Sequence, residues 1–187
     1  MNSTDIQYTD HRSDEATLTT VAQPFWLLKT AKAPKLGKHA NGGIGYQIAT
    51  GSDRQEPMIH IVANDGGGYF SKEAVCLSRV EACLVQHPQG EPFSSKLFQG
   101  SFAGRSSNNA GFLAAILRAE GLLAPASDTE GRHLISGDWT AWKAALLAEP
   151  GQAINTPPVT QPDSSPASEI AASANEEEKA PPRRGKK

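Results

Sequence analysis

The sequence predicts an α+β domain: a small antiparallel N-terminal sheet, then a unit of three helices with a β-hairpin, and a C-terminal helix. Two changes of pattern carry that prediction. Apolar residues alternate across Ile44–Ile48 and enrich Met58–Ala63 as half-buried strands do, whereas from Ser71 they recur every three or four residues, the period of an amphipathic helix. Composition marks the ends. Residues 1–23 are rich in Thr, Ser and Asp, and residues 151–187 carry Pro157, Pro158, Pro162, Pro166, Pro181 and Pro182 among Ser, Ala and Glu. Neither segment has the apolar content to offset its ordering entropy, so both are read as disordered, leaving one domain over residues 24–150.

The first two strands are joined through Gly51-Ser52-Asp53, and Asn64-Asp65-Gly66-Gly67-Gly68 is a second turn from which Tyr69-Phe70 returns as a short strand. The first helix is expected from Ser71, with Val75 or Cys76, Val80, Cys83 and Leu84 on its apolar face, stopping before Pro88. Ser94 then caps a short second helix that carries Leu97 and Phe98. Ser106 or Ser107 caps the third, whose stripe of Phe112, Leu113, Ile116 and Leu117 runs to Glu120 and is closed by Gly121. Leu122-Leu123 and His133-Leu134-Ile135 pair as a hairpin around a polar loop. Asp138 caps the last helix, where Trp139, Trp142 and Leu146 have core-facing spacing.

The 187 residues carry a formal charge of -2, so any affinity for a polyanion has to come from a local patch. Cys76 and Cys83 fall two turns apart on the expected first helix, about 10 Å along its axis, which is too far for a disulfide. They read as small buried hydrophobes. No run is apolar enough for a secretory signal or a membrane span, and the expectation is a cytoplasmic protein with no membrane partner. The five histidines lack metal-ligand spacing, and the Asn64–Gly68 turn lacks both the Lys-Ser/Thr ending of a P-loop and the GxGxxG pattern. No catalytic residue, metal site or cofactor is expected.

Helix, short helix, long helix and hairpin, over about residues 75–149, resemble the winged-helix variant of the helix-turn-helix. Leu117-Arg118-Ala119-Glu120-Gly121-Leu122-Leu123 resembles the end of a recognition helix. The departure from that pattern is the Gly100–Arg105 link, looser and more glycine-rich than the usual tight turn. The resemblance implies a DNA-binding regulator or accessory protein that reads double-stranded DNA with its third helix, the small sheet being left for protein contacts or a homodimer.

Candidate nucleic-acid-binding residues follow from what such a helix start needs. Arg105, Ser106, Ser107, Asn108 and Asn109 supply a cation, free amides and small polar side chains; asparagine pairs bidentately with adenine, and arginine contacts guanine or phosphate. The alternative for the same residues is a capped helix start facing water. Lys96 on the second helix and Arg132 on the wing are placed for phosphates. Lys29, Lys32, Lys35 and Lys38, behind Trp26, read as a solvated basic strand or loop, although such a run can also track a phosphate backbone. A second function class stays open: a non-catalytic protein-interaction module, an adaptor or inhibitor of a larger complex. Clustering of Lys96, Arg105, Arg118 and Arg132 without intervening acids favours DNA, and interleaved Glu120, Asp128 and Glu130 favour protein.

Overall fold

A computed structural model of the chain describes residues 25–37, 41–104, 106–127 and 131–154. The expected N-terminal arm and the tail beyond Ile154 lie outside the described residues. In chain order the elements are β1 (Phe25–Pro34), β2 (Gly43–Thr50), β3 (Pro57–Asn64), β4 (Ala74–Cys76), α1 (Leu77–Leu84), β5 (Phe93–Ser94) and a 3-10 helix (Ser95–Ser101). There follow α2 (Asn109–Ala119), β6 (Leu123–Pro125), β7 (Arg132–Ile135), α3 (Trp139–Ala148) and β8 (Gln152–Ile154). This is the α+β class the sequence predicts. One antiparallel sheet has the order β4-β3-β2-β1-β8, and a second has the order β5-β7-β6.

The larger sheet owes its core to one apolar row. Ile48 pairs with Ile59, Tyr46 with Ile61, and Ile59 in turn with Val75, so these side chains stack on a single face. None is more than 2% exposed. α2 packs on that face through Leu113, Ile116 and Leu117, each worth roughly 1.5–3 kcal/mol of burial, and on its far side it meets the 3-10 helix and β6. Only Ala119 of α2 is exposed, with Gly111, Phe112 and Arg118 partly so. A helix apolar nearly all round is a central one.

The structure departs from the sequence expectations at several points. Residues 74–76 are not the first turn of a helix but a strand that completes the free edge of β3, and α1 starts at Leu77. The unpaired ladder of β3 offers Ala74–Cys76 more hydrogen bonds than an early helical turn would. Cys76 therefore lies outside the helix that holds Cys83, and both are free thiols. Tyr69-Phe70 is coil, not strand. The basic segment around Lys29 is a ten-residue strand inside the sheet, flanked by β2 and β8. The ordered domain also passes Pro150, because Gln152–Ile154 pairs with Phe25–Leu27. Arg54 secures that passage by donating to the carbonyls of Glu149 (2.7 Å) and Pro150 while its guanidinium lies 4.7 Å from the Trp26 ring centroid.

Other expectations hold. Ser94 caps the 3-10 helix, its side chain accepting from the Lys96 amide, and Asp138 caps α3, accepting from the Ala141 amide at 2.9 Å. Gly121 closes α2 at φ +74°. The hairpin exit needs glycine for a second reason: a Cβ on Gly137 would stand 2.4 Å from the Gly121 carbonyl oxygen.

Glu120, the residue after α2, joins the layers. Its side chain is 3% exposed and accepts from Lys29 Nζ on β1 (2.8 Å), the Tyr46 hydroxyl on β2 and Trp142 Nε1 on α3 (3.0 Å). Burial alone would raise its pKa, but the hydrogen bonds from Lys29, Tyr46 and Trp142 carry it below the ordinary value. Tyr46 is pushed up, first by burial and then by the neighbouring carboxylate. Replacing Glu120 with Ala removes the shared acceptor of three donors, of which Tyr46 and Trp142 are the more enclosed, and the expected loss in urea unfolding is about 3 kcal/mol. A loss below about 1 kcal/mol would show that the layers hold without it.

Candidate nucleic-acid interface

A groove of about 630 Å³ opens where the end of β1, the 3-10 helix, the start of α2 and the hairpin meet. Each wall has a local cause. Ser94 caps the 3-10 helix so that Lys96 and Gln99 project along one rim. Lys35, just past β1, also lines the groove because β1 packs against α2, and its ammonium donates to the Asp65 carbonyl. Ala110, Phe112 and Ala115 supply an apolar floor, and Ser107 and Asn108 stand at the mouth.

The approach to α2 is fixed from beneath. Glu73, 2% exposed, accepts from the backbone amides of Ala103 (2.9 Å) and Gly104 (3.0 Å). Asn109 Oδ1 accepts from the Ser71 amide at 3.1 Å. A side chain on Gly104 would crowd Ser71 and Glu73, with contacts of 3.2–3.4 Å, so glycine permits the close approach. The Gly100–Arg105 link, expected to be loose, is thus fastened over its described part, and glycine serves packing there.

The expected site residues separate into three groups. Lys96, Ser107 and Asn108 are exposed and line the groove. Ser106 is half-buried and lines an adjoining pocket of about 360 Å³, where its hydroxyl lies 3.5 Å from the Tyr69 carbonyl. Arg132 is exposed on β7 and contributes its carbonyl, 2.7 Å from Arg118 Nη2. Asn109 corrects the expectation: it is 0% exposed, its carbonyl oxygen serves Ser71, and it has no path to a base. Neither Ser106 nor Ser107 is the N-cap, which is Asn108, and no side chain caps α2. Arg105 and Lys38 lie outside the described residues, as do Asp128 and Glu130.

The burial of α2 limits what the helix presents to a ligand. A helix that reads the major groove needs a free face. α2 is covered by the sheet on one side and by the 3-10 helix and β6 on another, and the strip left open, with Gly111, Phe112 and Arg118, faces the groove. Two members of the basic run are also occupied, Lys29 by Glu120 and Lys32 by Asp65.

What remains is cationic. The charged side chains lining the groove are Lys35, Lys96 and Arg118, and no Asp or Glu lines it among the described residues. Glu120, named above as an acid that would interrupt such a cluster, faces inward. Arg118 is held by Nε donation to His133 Nδ1 at 3.0 Å. That bond requires an unprotonated Nδ1, which the surroundings favour: burial, then the charge of Arg118, lower His133 from 6.5 to about 4. Phe93, at a ring separation of 5.7 Å, packs against it.

Set against known proteins, the chain matches no family model, no curated protein and no solved structure. No helix among the described residues is long and apolar enough to cross a membrane.

His133 gives a pH prediction. An unfolded histidine takes up its proton below pH 6.5 while His133 in the folded protein stays neutral to about pH 4, so stability falls as pH drops through that window. The full effect is roughly 3 kcal/mol. His60, lowered by its own burial, acts in the same direction. Urea midpoints should fall between pH 7 and pH 5, and His133→Leu should flatten that slope without abolishing it. An unchanged slope in the variant contradicts the assignment.

Proposed function

We propose that the protein binds nucleic acid through the phosphate backbone, using the groove between the two sheets. The observation that carries this reading is the charged lining: Lys35, Lys96 and Arg118 converge with no carboxylate among the described residues. Three cations around one groove attract a polyanion even on a chain of net charge -2, because the field of a patch decides local affinity. The hydroxyl of Ser107 and the amide of Asn108 add neutral donors. The first amides of α2, which no side chain caps, sit beside them.

The winged-helix reading draws support from topology. α1, β5, the 3-10 helix, α2 and the hairpin follow one another, and β5 pairs with β7, the second hairpin strand. The mode of binding proposed is different from that of a groove-reading helix. With α2 presenting only a narrow strip to the groove, phosphate contacts position the ligand and base identity contributes little. An accessory role on DNA fits this better than recognition of one operator.

The test is fluorescence anisotropy of the full chain with labelled DNA across a salt series. Binding should weaken steeply with salt, and Lys96→Ala or Lys35→Ala should each reduce the slope of log K against log salt by about 0.7–0.9. Lys143→Ala, on α3 and away from the groove, should leave it unchanged. Absence of binding even at low salt removes the nucleic-acid reading and leaves a protein-docking module.

A further inference from the structure

We propose that the groove selects single-stranded over duplex nucleic acid, and that Tyr69 makes the selection by stacking on an unpaired base. The inference rests on the nucleic-acid reading above and narrows its ligand class.

Tyr69 is 68% exposed although its backbone is tightly placed. Its carbonyl accepts from Asn108 Nδ2 at 2.9 Å, and the Ser106 hydroxyl lies 3.5 Å away. Two residues on, the Ser71 amide is held by buried Asn109. On the other side, Gly66, Gly67 and Gly68 have φ of +79°, +79° and +95°, a path that favours glycine, and it brings the turn between two groove residues. A Cβ on Gly66 would lie 3.8 Å from Lys35 Nζ, and one on Gly68 would lie 3.9 Å from Asn108 Nδ2. Tyr69 is therefore an aromatic side chain presented to solvent from a fastened segment whose backbone adjoins the groove residue Asn108.

The combination points to one class of ligand. Cations that track a backbone, with an aromatic face beside them, bind an unpaired strand, because every base offers a π-face once it leaves the duplex stack. In a duplex those faces are already covered by neighbouring bases. A groove of about 630 Å³ also has room for a short run of one strand. Tyr69 is exposed and stands outside the core cluster, so removing the ring tests binding rather than folding.

The experiment compares the full chain with its Tyr69→Ala and Tyr69→Trp variants, using labelled oligo(dT), a duplex of equal length and inorganic polyphosphate as competitor. The wild type should bind oligo(dT) more tightly than the duplex. Tyr69→Ala should weaken oligo(dT) binding roughly ten-fold, Tyr69→Trp should keep it, and competition by polyphosphate should not change. Equal affinity for strand and duplex, or an alanine variant that binds oligo(dT) like the wild type, overturns the inference and leaves the phosphate-binding groove standing. A wild type that binds none of the three overturns the groove reading itself, and this inference with it.

Discussion

The fold turns on a carboxylate where none would ordinarily sit. A buried charge costs several kcal/mol unless its lone pairs are filled, and removing a partner from such a group is more damaging than never having it. Glu120 meets that condition with donors from β1, β2 and α3 at the very end of α2. Lys29 is 42% exposed, so water screens its Coulombic share, and the geometry of the three hydrogen bonds matters more than the charge pair. One residue thereby ties the sheet, the central helix and the last helix to a common point.

Enclosing α2 has a functional consequence. The helix becomes the spine between two layers, and most of its side chains are spent on packing. What is left for a ligand is the seam beside it, where the 3-10 helix, the end of β1 and the hairpin leave a groove. Glu73 and Asn109 hold the approach to that seam in place from the protein interior. His133 does the same for Arg118, and it does so as a neutral imidazole that leaves the guanidinium charge unopposed. Among the described residues, two nearby acids are engaged elsewhere, Glu120 in the core and Asp65 with Lys32.

Local patterns in the sequence foretold the elements whose stability is local. The stripe on α2, the Asp138 and Ser94 caps, the Gly121 stop and the hairpin at His133–Ile135 all depend on residues within a turn or two, and all were legible. Strand β8 was not, because its partner lies far along the chain, and β1 and β4 were not, because β1 carries lysines among its apolar residues and β4 is three residues whose apolar pattern runs on into α1. Lys29, Ala31 and Ala33 alternate toward the core, yet a lysine at an inward position reads as solvent-facing until Glu120 is known to meet it. The site shows the same division. Ser107, Asn108 and Lys96 were found from helix-start chemistry, whereas Asn109, one residue further, rotates inward and serves Ser71. Lys35 was legible as one of a basic run that can track a phosphate backbone, whereas the nearness of Tyr69 to Asn108 comes only through topology.

The most direct measurement is to record amide chemical-shift changes across the ¹⁵N-labelled chain on adding a short unlabelled oligonucleotide. The account places the largest changes at Lys35–Gly37, Ser95–Gln99, Ser107–Gly111 and Gly131, the segments that line one groove. Changes centred on the outer face of the larger sheet, at Thr30, Gln47 and Met58, or no changes at saturating ligand, would contradict it.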